Sequence, residues 1–194
     1  MPGITPSQTV GPFFHFGLTP TDYDFREAIG SNLVTPDASG ERIRVAGRVL
    51  DGDGAPIVDA MVEIWQADAA GRYAHPADRR ALPNAAFKGF GRCGTDQAGG
   101  YSFETVKPGA VPGPNGKAQA PHIVVCVFSR GMLRHVYTRI YFSDEANDAD
   151  PILALVPQDR RATLVAQRQA DGGTPVYRFD VRLQGDGETV FFDI

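Results

Sequence analysis

Apolar and polar residues alternate along short segments of this chain, and turn-forming residues separate one segment from the next. The segments that we predict as strands are Ile43–Leu50, Ala60–Gln66, Gly89–Thr95, Tyr101–Val106, His122–Phe128, His135–Phe142, Val176–Leu183 and Thr189–Ile194. In the second of these, a period of two places Glu63 and Trp65 on one face and Val62 and Ile64 on the other. The chain also contains 22 Gly and 15 Pro residues, which interrupt long helices, so the pattern predicts an all-β fold.

Two regions depart from this strand pattern. Asp159–Arg168 has a composition and spacing that suit a short helix. Residues 1–40 are rich in Pro, Thr, Ser and aromatic residues with little alternation, and we expect an extended arm whose rings pack against another surface. The chain is therefore predicted to be one domain over residues 1–194. The arm covers residues 1–40, and residues 41–194 form a two-sheet β-sandwich with long loops and one or two short helices.

Composition and charge argue against several classes of protein. With 194 residues, of which 42% are hydrophobic, the chain can bury a core of ordinary size. The net charge is −4 and the basic residues are scattered, which argues against a nucleic-acid-binding surface. No apolar segment approaches the ~20 residues that cross a membrane, and the first residues lack the features of a signal peptide. Cys93 and Cys126 fit no CxxC motif, so we expect two free thiols and a cytoplasmic location.

Side chains with catalytic chemistry are few and give weak signals when each is taken alone. The histidines are His15, His75, His122 and His135, and they form no zinc-binding motif. A histidine that begins a predicted strand, as His122 does, is more often structural than functional. Tyr73 and His122 carry side chains that bind ferric iron well, but two ligands do not hold the ion. Arg130, in a turn between two strands, could bind a carboxylate in bidentate fashion or could be a solvated loop charge.

Five segments carry motifs that are informative in combination. They are Thr5–Phe14, Val62–Tyr73, Thr105–Gly109, Ala120–Ile123 and Phe179–Asp193. Together these segments resemble the intradiol ring-cleavage dioxygenases over nearly the whole chain. The last segment resembles the alpha-type chain of those members of the family that are built from alpha and beta chains. Each motif alone would be weak, and the resemblance rests on their combination.

The resemblance implies a fold, a partner and a reaction. The fold is a β-sandwich with long loops, and the partner is a beta subunit that pairs with this chain in a hetero-oligomer. The substrates implied are protocatechuate and O₂. The product is 3-carboxy-cis,cis-muconate, formed by cleavage between the two hydroxyl-bearing carbons in the β-ketoadipate pathway of aromatic catabolism. The cofactor implied is non-haem Fe(III), while the protein orients the substrate and excludes water.

The positions of the iron ligands indicate which kind of chain this is. In the metal-bearing chain of the family, two tyrosines and two histidines bind the ion. Tyr73 and His122 match the first tyrosine and the first histidine, but Val111 and Val124 stand at the other two positions. A valine side chain has no electron pair to donate, so the resemblance implies that the beta-type partner binds Fe(III) and that this chain binds no metal. We call Tyr73, Val111, His122 and Val124 the vestigial iron site.

Two more positions near the vestigial iron site differ from the family pattern. Gln119 stands in place of an arginine, and Arg139 stands in place of a glutamine. Neither residue is a usual ligand of ferric iron. We therefore expect Tyr73 and His122 to be remnants of a metal site that hydrogen-bond within a cleft of this chain.

The arm and one turn are the parts of this chain that the resemblance assigns to substrate binding. The arm is expected to lie across the cleft of the partner chain, where Thr9, Gly11, Pro12 and Phe13 line the substrate pocket. Glycine permits a close approach of the backbone and proline fixes φ, which suits the wall of a tight pocket. Arg130 is expected near the same pocket as a fixed cation. No residue of this chain is assigned a catalytic role.

Two alternatives stay open from the sequence. The first is a self-sufficient intradiol dioxygenase with a changed ligand set, which stoichiometric iron and a tyrosinate charge-transfer colour in the isolated chain would indicate. The second is a non-catalytic β-sandwich binding module, because Asp51–Ala60 and Thr95–Phe103 resemble strand–turn–strand segments of transthyretin-like domains. The aromatic arm and the alpha-type tail argue against the second alternative, and co-purification with an iron-carrying chain would test it.

Overall fold

The computed structural model describes residues 17–20, 29–81, 86–169 and 173–193. Within these ranges the strands are β1 (Arg42–Leu50), β2 (Met61–Gln66), β3 (Phe90–Gly94), β4 (Gly100–Val106), β5 (Val111–Pro112), β6 (Ala118–Gln119), β7 (His122–Phe128), β8 (Val136–Phe142), β9 (Val165–Gln169), β10 (Val176–Arg178) and β11 (Val181–Arg182). The 3₁₀-helical segments are Pro114–Gly116, Leu153–Leu155 and Gln158–Leu164. The predicted all-β class is therefore confirmed. No helix in the described part of the chain is long and apolar enough to span a membrane.

Strand β9 joins the two layers of the fold into one hydrogen-bonded ladder. The strand order is β11-β1-β10-β9-β8-β7-β2-β3, and β4 pairs with β1. The first residues of β9 run parallel to the end of β8, and its last residues run antiparallel to β10. The β4–β1–β10 layer is thereby linked to the β8–β7–β2–β3 layer, and β5 and β6 form a separate hairpin.

The core lies between these two layers. Val45, Phe103 and Tyr177 come from the first layer, Ile64 and Val125 come from the second, and all five are buried in one cluster. Burying a side chain of this size stabilises the fold by ~1.5–3 kcal/mol relative to leaving it in water. The alternation predicted for β2 is confirmed, because the side chains at positions 62 and 64 enter this core and those at 63 and 65 do not.

The helix predicted at Asp159–Arg168 forms only in its first part, and the prediction is wrong for the last four residues. Gln158–Leu164 is a 3₁₀-helix, and the chain then continues as β9. Leu164 is fully buried in a second apolar cluster that contains Tyr141, and the next two residues pair with the end of β8. These tertiary contacts outweigh the helix propensity of a segment that is too short to form a stable helix alone.

The strand predicted at Val176–Leu183 is divided into β10 and β11. Phe179 and Asp180 interrupt it, and side chains bind the backbone groups at the interruption. Asp180 Oδ1 accepts the backbone N–H of Arg48 at 2.9 Å, and the Tyr101 hydroxyl donates to the Phe179 carbonyl at 2.6 Å. These side chains bind backbone groups that a continuous strand would have paired with a neighbouring strand.

The strand predicted at Thr189–Ile194 is not formed over residues 189–193, and position 194 lies outside the described residues. Separate contacts fix this tail instead. Phe192 forms an isolated β-bridge with Tyr137, and Thr189 Oγ1 accepts the backbone N–H of Arg182 at 3.0 Å. The apolar tail is thus tied to the sandwich, as its composition suggested, but without a regular strand.

The last part of the predicted arm packs on the sandwich of its own chain. Leu33 enters the main core, and its backbone N–H donates to the Glu104 carbonyl at 2.8 Å. Asn32 forms an isolated parallel bridge with the same residue of β4. Residues 29–40 therefore extend the β4 edge of the sandwich.

Cys93 and Cys126 are not joined in a disulfide. Cys126 is buried in β7, and burial raises the pKa of its thiol to about 12. A thiol that stays protonated at neutral pH is a poor nucleophile and a poor metal ligand, so Cys126 has a packing role.

Candidate functional site

A cleft of about 640 Å³ opens beside the outward face of β2. The residues that line it come from the end of β2, the loop that follows and the β5–β6 hairpin: Trp65, Tyr73, His75, Ala77, Asp78, Arg80, Val111, Pro112 and Gln119. Its volume lies in the range of small-molecule sites in proteins. Because Tyr73 and Val111 both line the cleft, the structure brings two positions of the vestigial iron site together there.

The loop between β2 and Tyr73 is shaped by Asp68 and Gly71. Asp68 Oδ1 accepts the backbone N–H of Arg72 at 2.9 Å, and Asp68 Oδ2 accepts a hydrogen bond of 3.0 Å from the Arg72 guanidinium. Gly71 has a φ of +72°, and a Cβ atom at this position would collide with the Ala110 carbonyl oxygen. Only glycine adopts this positive φ readily and also leaves room for the Ala110 carbonyl. The glycine of the Gly-Arg-Tyr sequence therefore lets the loop bring Tyr73 to the cleft.

Tyr73 is held in the cleft by a hydrogen bond and by ring stacking. The Asp78 carboxylate accepts the backbone N–H of Tyr73 at 2.9 Å. The Tyr73 and Trp65 rings stack with centroids 5.8 Å apart and an interplanar angle of 17°, and His75 meets Trp65 edge-on at 6.5 Å. A stacked pair of aromatic rings therefore forms part of the cleft lining.

Asp78 and Arg80 form an ion pair that fixes the loop. Arg80 Nη2 donates to Asp78 Oδ2 at 2.8 Å and to the Gly71 carbonyl at 2.8 Å. The hydrogen bond from Arg80 lowers the pKa of Asp78 to about 2. The carboxylate is therefore ionised at neutral pH, and the two charges of this pair compensate each other.

The Tyr73 phenol is neutral at neutral pH. Burial raises its pKa above the usual value, and the carboxylate of Asp78 adds to this effect, while the cations Arg139 and Arg80 act against it. A tyrosine must lose its proton to bind a metal. In this chain the Tyr73 side chain is therefore a phenol rather than a tyrosinate.

His122 begins β7 and is 3% exposed. Its Nδ1 lies 2.7 Å from the Ala120 carbonyl oxygen, which can only accept a hydrogen bond, so Nδ1 carries the proton and Nε2 carries a lone pair. Burial lowers the pKa of His122, and the cation of Arg139 lowers it further. The imidazole is therefore neutral at neutral pH, and its ring lies 6.0 Å from the Tyr141 ring.

The four positions that depart from the family pattern form one contiguous group. Val111 pairs with Gln119 across the β5–β6 hairpin, and Val124 pairs with Arg139 across β7 and β8. The two pairs are joined because Arg139 Nη1 donates a hydrogen bond of 2.7 Å to Gln119 Oε1. The charge of Arg139 acts on both remaining donors of the vestigial iron site. The guanidinium of Arg139 thus lies beside the vestigial iron site.

The donor set of this chain does not fit ferric iron. It consists of one phenol and one imidazole, Tyr73 and His122, and the positive charge of Arg139 acts on both. Ferric iron prefers anionic oxygen and imidazole ligands, and a neighbouring cation repels it. Over the described ranges, no group of three or more His, Cys, Asp or Glu side chains is arranged to hold a metal ion.

Arg130 lies at the opposite end of β7 from His122. Six residue steps separate His122 from Phe128, which is about 20 Å of strand, and Arg130 follows in the turn to β8. Its side chain is 77% exposed, and its Nε lies 2.6 Å from Asp59 Oδ2. A role of Arg130 in a substrate pocket therefore requires a pocket other than the cleft. The remaining residues predicted to line the substrate pocket lie outside the described residues: Thr9, Gly11, Pro12 and Phe13.

Sequence reasoning missed the contribution of Trp65, Asp78 and Arg80 to the cleft. A usable signal existed for Trp65, because alternation in β2 placed it on the outward face. Asp78 and Arg80 lie in a loop without hydrophobic period, so no pattern pointed to them. The sequence marks Arg139 as a departure from the family pattern, but its contact with Gln119 depends on how the β5–β6 hairpin lies against β8.

Relatives of this chain cover nearly all of its length. A family model described as dioxygenase matches residues 10–185. The protocatechuate 3,4-dioxygenase alpha chain of Burkholderia cepacia is 51% identical, over 98% of this chain and 97% of that protein. The protocatechuate 3,4-dioxygenase alpha chain of Pseudomonas putida is 47% identical, over 97% of this chain and 96% of that protein. The beta chain of the Burkholderia cepacia enzyme is 39% identical, over 89% of this chain and 75% of that one.

Solved structures with the same fold include dioxygenases from an animal and a bacterium. An intradiol ring-cleavage dioxygenase from Tetranychus urticae matches with a TM-score of 0.64 at 21% identity, over 93% of this chain and 94% of that one. Catechol 1,2-dioxygenase from Pseudomonas arvilla C-1 matches with a TM-score of 0.60 at 20% identity, over 83% of this chain and 60% of that chain. At this level of identity the similarity shows the fold alone.

Proposed function

The chain belongs to the intradiol ring-cleavage dioxygenase family, and we propose that it is the alpha-type subunit of a protocatechuate 3,4-dioxygenase. The observation that carries this proposal is the contrast between two chains of one organism. Identity to the Burkholderia cepacia alpha chain is 51%, and identity to the beta chain is 39%. The alpha-chain match also covers more of its counterpart, 97% against 75%.

The proposed reaction opens the aromatic ring of protocatechuate with O₂. The bond between the two hydroxyl-bearing carbons breaks, and each of these carbons becomes a carboxyl carbon. Both oxygen atoms of O₂ end in the product, 3-carboxy-cis,cis-muconate, so the overall reaction needs no external reductant. The reaction is a step of aromatic catabolism in the β-ketoadipate pathway.

The Fe(III) that this family uses is held, in our proposal, by a beta-type partner chain. Val111 and Val124 have no electron pair to donate, and Arg139 adds a cation beside the two remaining donors, which supports a partner with the complete ligand set. The active unit is then an alpha–beta pair within a hetero-oligomer.

In this pair the present chain shapes the substrate pocket of its partner. Thr9, Gly11, Pro12 and Phe13 of the arm line the pocket, and Arg130 supplies a cation for the substrate carboxylate. The exposure of Arg130 on a turn supports this role, since its planar guanidinium can reach another chain and can bind a carboxylate through two parallel hydrogen bonds. A cytoplasmic location is also proposed, and the two free thiols support a reducing compartment.

Separate and joint preparation of the two chains tests this proposal. This chain, a beta-type chain and the co-expressed pair are each assayed for bound iron and for O₂ uptake with protocatechuate. We expect the two chains to co-purify, and full activity and stoichiometric iron to require the beta-type chain. Stoichiometric iron and ring cleavage by this chain alone would support a self-sufficient dioxygenase instead. Failure of the chains to co-purify would support a separate binding module.

A further inference from the structure

A positive charge without a paired carboxylate among the described residues lies next to the cleft beside β2, on Arg139, which contacts Gln119 of the cleft lining. Asp78 on its wall is paired with Arg80. Arg139, which is half-buried, donates to the neutral side-chain oxygen of Gln119, and no carboxylate of the described residues forms an ion pair with it. An arginine withdrawn from water is normally paired with an anion. The cleft therefore has room for one negative charge.

The carboxylate of Asp150 forms no ion pair with Arg139 and instead binds the Tyr141 hydroxyl and three backbone N–H groups. It is almost fully buried, and Oδ1 accepts the Tyr141 hydroxyl at 3.0 Å and the backbone N–H groups of Ile152 and Leu153 at 2.8 Å. Oδ2 accepts the backbone N–H of Ala120 at 2.8 Å. Asp150 thus fixes the loop behind the cleft. Arg139 also hydrogen-bonds the Tyr141 side chain, and its guanidinium still keeps donors for another acceptor.

The shape of the cleft suits a single aromatic ring. The stacked Trp65 and Tyr73 rings form one wall, and Val111 and Pro112 of the β5–β6 hairpin form another. Gln119 lies on the lining and contacts Arg139, so an acceptor that displaces its amide oxygen reaches the guanidinium. A volume of about 640 Å³ exceeds what a one-ring ligand needs.

We propose that this cleft binds a planar aromatic monocarboxylate of the benzoate class without any metal. The ring of the ligand packs beside the Trp65–Tyr73 stack. Its carboxylate takes the place of the Gln119 oxygen as the acceptor for Arg139. The guanidinium then supplies the positive charge for an anionic aromatic ligand that a metal ion would otherwise supply. The inference goes beyond the proposed reaction, and its test needs neither iron nor the partner chain nor O₂.

Trp65 makes the test direct, since it is the single tryptophan of the chain and lines the cleft. The full-length chain, treated with a chelator, is titrated with benzoate while tryptophan fluorescence is followed. Benzamide keeps the planar ring without the charge, and cyclohexanecarboxylate keeps the charge without the planar ring. We expect a saturable response to benzoate and at least tenfold weaker binding of both comparison compounds. No saturable response to benzoate, or equal binding of benzamide, would overturn the proposal.

The matched substitution pair is Arg139→Gln and Arg178→Gln. Arg178 is an exposed arginine of β10 whose guanidinium also donates to a glutamine oxygen, that of Gln169 at 3.3 Å. We expect R139Q to weaken benzoate binding more than tenfold and to remove the preference over benzamide, while R178Q changes neither. Unchanged binding in R139Q would contradict the inference. Circular dichroism checks that each variant is folded, and if R139Q is not, the comparison of benzoate with benzamide on the unmodified chain decides the question.

Discussion

Arg139 of β8 donates a hydrogen bond of 2.7 Å to the side-chain oxygen of Gln119 in β6. Each of these residues pairs across its own hairpin with a valine, Val111 or Val124, at a position that the sequence predicts for a metal ligand. The two valines of the proposed vestigial iron site therefore lie beside a cation, Arg139, and an acceptor for it, Gln119. The contact explains why restoring ligands alone is not expected to restore an iron site.

Restoring the four donors tests this relationship. Val111→Tyr with Val124→His should bind Fe(III) weakly, and the addition of Arg139→Gln should strengthen binding at least tenfold. The reason is charge, because unit charges about 4 Å apart interact by about 4 kcal/mol at an effective dielectric of about 20. Iron content after gel filtration and the tyrosinate-to-iron absorption band measure the outcome. Adding R178Q instead of R139Q is the control, and equal iron binding with either addition would contradict the electrostatic explanation.

Gly71 provides a prediction about the loop that presents Tyr73. G71A should lower the free energy of unfolding by more than ~2 kcal/mol, because its φ is +72° and the new Cβ would collide with the Ala110 carbonyl. Gly116 is the matched control, since its φ is +73° but a Cβ added there would meet no surrounding atom within 4 Å. G116A should cost only ~1 kcal/mol. Urea denaturation measures both, and equal losses would show that the collision is relieved by movement of the loop.

The layered β architecture was accessible from the sequence because it depends on periodicity. In β2 the two faces were assigned correctly for Val62 to Trp65, whereas Met61, predicted on the same face as Glu63 and Trp65, is buried. The bounds of β7 agree with the predicted segment. The prediction of a helix over all of Asp159–Arg168 was wrong because the pairing of its last residues with β8 is not visible in local composition. The prediction of one continuous strand over Val176–Leu183 was wrong for a related reason. At Asp180 a side chain takes the place of a backbone hydrogen bond between strands.

The candidate site was only partly accessible for a different reason. Motifs located Tyr73 and His122, and valines at two ligand positions suggested that a metal was missing. What the sequence could not give is the contact between Arg139 and Gln119, because it depends on the approach of two hairpins that are distant along the chain. The charge of the cleft follows from that contact and not from any single residue.

Lys107 provides a prediction about stability. It is 13% exposed, its Nζ lies 3.0 Å from Asp144 and 2.7 Å from Glu145, and it stands over the ring of Tyr177. K107M should lower the free energy of unfolding by ~1–3 kcal/mol, a range that allows for the partial exposure of both carboxylates. K117M, at an exposed position, should change it by less than ~0.5 kcal/mol. Denaturant titration at neutral pH measures both, and equal effects would mean that this charge cluster adds no stability.

The cluster of Lys107, Asp144 and Glu145 should also make the free energy of unfolding depend on pH in the acidic range. Burial raises the pKa of Asp144, but hydrogen bonds from Lys107 and Tyr177 outweigh burial and lower it. A carboxyl with a lower pKa in the folded state stabilises fully above its unfolded pKa and loses this contribution as the pH falls through the folded pKa. We therefore expect the unmodified chain to lose stability below about pH 4, and K107M to lose less over the same range. Parallel pH slopes for the two proteins would contradict the assignment to Asp144.

Arg130 provides a prediction about the assembled enzyme. In the alpha–beta complex, R130Q should raise KM for protocatechuate about tenfold, since a charge-assisted hydrogen bond contributes ~1.5–3 kcal/mol. The effect on catechol, which lacks the carboxylate, should be much smaller. D59N removes the carboxylate that Arg130 contacts and leaves the guanidinium in place, so it should not raise KM. Steady-state O₂ uptake with both substrates gives the comparison, and equal increases for protocatechuate and catechol would show that Arg130 does not bind the substrate carboxylate.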